Sequence, residues 1–228
     1  MAVDVGYAMD DIAQVLLPKF KKEALKEGFR VFVLGPSCRS DEDVPQPKNV
    51  INTDGDIVPH AKYLRARIKR ELEHRGFTVD FGETYGILEA WRTAHEGGNL
   101  ASFEMDHAED HCRAIVIIPA SVGSICELAL FAPERHLSEK TVAIIHKKYE
   151  NDKSFFVDGI VKLLDDEKGK VRFVDYGEHD KCVEAALKFV NSEWESFYRR
   201  FREYLRAKQW EQNNAKIIEA GQPEVGTI

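Results

Sequence analysis

Glu127 and Asp106 are the two carboxylates of this chain whose surroundings could do chemistry. Glu127 follows the small-residue segment Ser121-Val122-Gly123-Ser124-Ile125-Cys126, and Asp106 stands in Phe103-Glu104-Met105-Asp106-His107. Small residues such as Ser121, Gly123 and Ser124 let a ligand approach the backbone, and N–H groups at a helix start face it. A glutamate placed there can attack an anomeric carbon or stabilise a ribosyl cation. The competing reading makes Glu127 a first-turn acid that complements the helix dipole. An acid at Asp106 that reached the same crevice would let one carboxylate act as nucleophile while the other positions or protonates the partner. Its competing reading is a charged helix face, since Glu104, Glu109 and Asp110 lie close by.

A second constellation is the turn Gly35-Pro36-Ser37-Cys38-Arg39-Ser40. Glycine, hydroxyls and an arginine at the end of a strand can hold a phosphate or ribose hydroxyls. The segment is not GxGxxG, so the dinucleotide fingerprint is absent. Tyr85 and Glu83, in Gly82-Glu83-Thr84-Tyr85-Gly86, follow another strand and are placed to contact a base or sugar. His107 and His111 are four residues apart, but His-Ala-Glu-Asp-His is not the metalloprotease HExxH and shows no third ligand. The reading is no metal and no organic cofactor.

The elements that must carry these residues are legible in the apolar pattern. Arg30–Leu34 (RVFVL), Phe77–Phe81 (FTVDF), Ala114–Ile118 (AIVII), Thr141–His146 (TVAIIH) and Val171–Val174 (VRFV) read as five strands. Helices are expected over residues 9–27, from Pro59 to Gly76, over 86–96, from Leu100 to about His111, after the loop Ser121-Val122-Gly123-Ser124 with Glu127 in its first turn, over 155–166, and from Lys181 to about Gln212. Strands alternating with helices imply an α/β fold, Rossmann-like or flavodoxin-like. Its mainly parallel five-stranded sheet has flanking helices and N- and C-terminal helical additions. The domain reading is an N-terminal extension over 1–28, an α/β domain over 29–180, and a C-terminal helix and tail over 181–228. In such a sheet, ligands sit at the carboxyl ends of the strands. Both constellations fall there.

The net charge is −7 over 228 residues, with lysines and arginines dispersed, which argues against a duplex-DNA binder. Four cysteines without a CxxC pair, and no segment resembling a signal peptide, point to a reducing, cytoplasmic setting. No apolar run approaches a membrane span.

These residues together resemble the nucleoside 2-deoxyribosyltransferase family. The nearest members by pattern are its nucleotide-hydrolysing 2'-deoxynucleoside 5'-monophosphate N-glycosidases. The resemblance covers about residues 30–147. It rests on Val33-Leu34-Gly35-Pro36-Ser37-Cys38-Arg39-Ser40, on Asp106 one helix ahead of the buried strand, and on Ser121, Gly123, Glu127 and Leu128 in a Ser-x-Gly-x-x-x-Glu-Leu loop. The chain departs from the pattern at Ala129, where the family has glycine, and at Cys112-Arg113, where it often has an acid. The resemblance implies Glu127 as the nucleophile that captures C1', with Asp106 assisting. It also implies phosphate or sugar contacts from Ser37, Arg39, Ser121 and Gly123, to which the reading of the loops themselves adds Gly35, Ser40, Tyr85 and Ser124. The implied substrate is a nucleotide such as a nucleoside monophosphate; the long loop at 41–58 and the added terminal helices, which depart from the family, leave room for a larger one such as NAD, in a stress or antiviral role. The alternative is a nucleotide-binding sensor without catalysis. Self-association is expected, with the stripe Leu187, Val190, Trp194, Phe197, Phe201 and Leu205 offering a surface for a second copy or a protein partner.

Overall fold

The computed structural model describes residues 25–38, 44–47, 56–83 and 99–220, with side chains up to residue 211. Apart from a turn at residues 25–28, the helix expected over 9–27 lies outside this set. So do the helix expected over 86–96 and the residues Arg39, Ser40 and Tyr85.

Five strands form one parallel sheet: β1 (Arg30–Leu34), β2 (Thr78–Asp80), β3 (Ala114–Ile117), β4 (Thr141–His146) and β5 (Lys170–Val174). Their order is β2-β1-β3-β4-β5. All five strands expected from the sequence are present, and the flavodoxin-like α/β architecture is confirmed. The three central strands are buried almost throughout, because helices cover both faces of a parallel sheet. This explains their unbroken runs of valine, isoleucine and leucine. The edge strand β5 is half exposed and carries Lys170 and Arg172.

The described helices are α1 (Val58–His74), α2 (Leu100–Asp110), α3 (Val122–Phe131), α4 (Arg135–Ser138), α5 (Lys162–Asp166) and α6 (His179–Ala220). A π-helical segment, Phe155–Val161, leads into α5. Pro59 starts α1, and Gly76, at a φ of +86°, follows its end. Asn99 caps α2 by accepting a hydrogen bond from the Ser102 N–H.

The chain divides into two compact units. One, Glu23–Trp194, holds the whole sheet. The first part of α6 belongs to it, with Val190 and Trp194 buried and Trp194 packed edge-on against Phe29 at 5.5 Å. The other comprises Met1–Lys22 and Glu195–Ile228, where Phe197 and Phe201 stack at 6.3 Å. No helix among the described residues is long and apolar enough to cross a membrane.

Candidate active site

The topology reverses direction at β1, which pairs with β2 on one side and β3 on the other. A doubly wound sheet opens a crevice at such a point, outside the carboxyl ends of the strands. Four charged side chains interact around it: Arg65 from α1, Glu83 after β2, Glu104 from α2 and Glu127 from α3.

Glu127 does not cap its helix. The N-cap of α3 is Ser121, and its first turn contains no acid. Ser121 Oγ accepts from the Ser124 N–H at 3.3 Å, while Ser124 Oγ accepts from the Ser121 and Ala120 N–H groups at 3.0 and 3.1 Å. Glu127 therefore sits in the second turn, whereas the dipole effect fades beyond the first. Its Oε2 is buried and has no hydrogen-bond partner. An orphaned carboxylate oxygen is costly unless something else offsets it, so it demands an explanation.

Electrostatics sets the protonation of the pair. Burial, reinforced by repulsion from Glu104, pushes the Glu127 carboxyl up to about 8, with Arg65 pulling against it. Burial and repulsion from Glu83 push Glu104 up to about 7, opposed by Arg65 and His107. The two acids interact, so their protons leave as a pair. Near neutral pH the higher value leaves the proton on Glu127 while Glu104 is divided between its two forms, so Glu127 becomes a carboxylate only when something lowers it.

Arg65 is 1% exposed. It donates to the Val33, Gly35 and Pro36 carbonyls at 3.1, 3.2 and 3.1 Å. It also forks onto Glu83 at 2.8 and 2.6 Å. Two glycines make room for these groups. A Cβ on Gly35 would lie 3.2 Å from Arg65 Cδ, and one on Gly82 would lie 2.8 Å from Glu104 Oε1.

The expected site residues therefore separate. Glu127 lies in the cluster. Asp106 does not join it: it is exposed, two residues and about 200° of helix turn from the buried Glu104. Ser121 and Ser124 are engaged in capping α3, and Ser124 is 1% exposed. Gly123 is exposed, with open space where a Cβ would go, and Ser37 is exposed. Gly35 is buried under the Arg65 stem.

Sequence reasoning missed Arg65 and passed over Glu104. Both interrupt apolar stripes at helical spacing: Arg65 among Ala61, Leu64, Ile68 and Leu72, and Glu104 four residues before the buried Ala108. A lone charge in such a stripe was the available signal.

A neighbouring buried cluster joins Asp80, His107 and Cys112, whose ligand-type atoms lie within 4.8 Å of one another. Asp80 is already held by Arg30 at 2.8 and 2.7 Å and by His107 at 3.0 Å. Burial pushes Asp80 up, but the hydrogen bonds from His107 and Arg30 outweigh it and hold the carboxyl below its usual range. Burial also pushes the Cys112 thiol up to about 12, aided by Asp80. The arrangement reads as a satisfied ion-pair network with an inert thiol beside it.

Residues 61–220, more than half of the chain, match one family. The chain belongs to the STM3845 retron effector protein family. This is a defence-related family, and the matched span contains Arg65, Glu83, Glu104 and Glu127. No curated protein matches the chain.

Proposed function

We propose that this chain is an antiviral effector that cleaves the base–sugar bond of a nucleotide, with Glu127 as nucleophile and Glu104 as the second acid. The observation that carries the reading is the pair of raised, mutually repelling carboxyls at the switch point, one with an orphaned buried oxygen. The resemblance to nucleoside 2-deoxyribosyltransferases and the membership of an effector family support it.

In the proposed reaction the C1'–N bond breaks and its electron pair leaves with the base. The Glu127 carboxylate then bonds to C1', and water or another acceptor later displaces it. Three carboxylates face one arginine here, and that arginine is already forked onto Glu83. Burial keeps Glu127 largely protonated at neutral pH, and a substrate that brings positive charge to the reacting centre is favoured because it draws out the carboxylate that the attack needs. NAD does so, because its pyridinium ring departs as a neutral base without needing a proton. An arriving cation also lowers both acids, so ionisation of Glu127 is coupled to substrate entry.

Base release from NAD and from a panel of ribo- and deoxyribonucleotides, followed by chromatography, tests the proposal. Glu127→Gln is expected to abolish it, and undiminished turnover in that variant would remove Glu127 from the mechanism. The exposed position of Asp106 favours a second reading, nucleotide sensing without cleavage. Thermal stabilisation by a nucleotide with no released base would select it.

A further inference from the structure

We infer that Arg65 is the positioning residue of this site: one buried guanidinium that fixes the exit turn of β1 against Glu83 and supplies the positive charge facing Glu104 and Glu127. The inference deepens the proposed glycosidase reading and rests on it for the identity of the reaction.

The geometry is specific to arginine. Five hydrogen bonds leave one side chain, three to the carbonyls of Val33, Gly35 and Pro36 and two to the Glu83 carboxylate. The guanidinium carbon also lies 4.3 Å from the centre of the Phe81 ring. Lysine carries the charge but cannot form the planar fork. The position belongs to the apolar stripe of α1, between Leu64 and Ile68 and 1% exposed. A charge there is costly unless it is fully bonded, so its placement under the crevice points to the crevice.

The two ends of this bridge act on the acids in opposite directions. Arg65 draws Glu104 and Glu127 down, and Glu83 pushes both up. Removing one or the other must therefore move the acids oppositely, whereas loss of structure alone has no reason to do so.

The test uses the full chain, with carbon-13 NMR titration of the glutamate carboxyls and the pH profile of base release. Arg65→Gln is expected to raise both carboxyl midpoints by about one pH unit or more, and Glu83→Gln to lower them. Arg65→Lys should keep the midpoints within about half a unit of the parent, because the charge remains, yet lose more than about tenfold in turnover, because the fork is gone. If Arg65→Gln does not fold, Arg65→Lys and Glu83→Gln still give the sign and the split between charge and geometry. Shifts of the same sign, midpoints that do not move, or wild-type turnover in Arg65→Lys would overturn the assignment. If the parent releases no base from any nucleotide, the glycosidase reading falls, while the carboxyl titration still judges Arg65.

Discussion

Glu127→Gln should make the protein less sensitive to alkali, and the size of the effect follows from the site. The Glu127 carboxyl is raised from 4.5 to about 8. A group whose proton is held more tightly in the folded state stabilises that state fully below its unfolded value. It loses the contribution as pH rises through the folded value. Each pH unit of difference corresponds to about 1.4 kcal/mol, and because pH 5 already lies above the unfolded value, the upper bound between about pH 5 and pH 9 is about 4 kcal/mol. Glu127 is half-buried, and part of its rise is repulsion shared with Glu104, which lowers the realistic figure to about 2 kcal/mol. Glutamine does not titrate. Any fixed cost of its amide is the same at both pH values and cancels when each protein is compared with itself. Urea denaturation at the two pH values should show the parent losing about 2 to 4 kcal/mol more than the variant. In thermal scans the gap between the two pH values should narrow by at least about 5 °C. Parallel pH dependence of the two proteins, within about 0.5 kcal/mol, would refute the claim that Glu127 sits buried beside a second acid.

Three further outcomes follow from the packing. Gly82→Ala places a methyl 2.8 Å from Glu104 Oε1 and forces that carboxyl to move, so base release should fall by more than about tenfold, with less than about 1 kcal/mol lost in denaturant titration because the displaced atom ends a flexible side chain. Asp106→Ala should change stability by less than about 0.5 kcal/mol and leave base release unaltered, whereas Glu104→Gln should impair release; equal effects of the two would reverse the choice of second acid. Ser124→Ala breaks the reciprocal cap of α3 and should cost about 1 to 2 kcal/mol in unfolding measurements, with KM unchanged if the hydroxyl only caps.

Much of the architecture was legible because parallel strands buried on both faces must be apolar without interruption. Arg30–Leu34 and Thr141–His146 keep the limits read from the pattern, and the other three strands shift by one or two residues. The helix that carries Glu127 was harder. Ser121 was read as a ligand contact, yet it is the N-cap, and this places Glu127 one turn deeper than expected. A serine–serine cap looks the same in sequence as a small-residue phosphate loop, since both need short hydroxyl side chains beside a helix start. The choice between Asp106 and Glu104 turned on helical phase, which the acid-rich run Glu104 to Asp110 obscures.

By itself the sequence determined the order of strands and helices, the edge of the sheet at which ligands would gather, and the prominence of Glu127, because local apolar periodicity encodes these directly. Only the tertiary structure decided which charges meet. Arg65, Glu83, Glu104 and Glu127 come from four separate elements, and their proton affinities depend on burial and mutual distance. Those quantities exist only once the sheet has brought the four side chains to one edge, where low polarisability and short separation turn ordinary glutamates into a pair that shares protons near neutral pH.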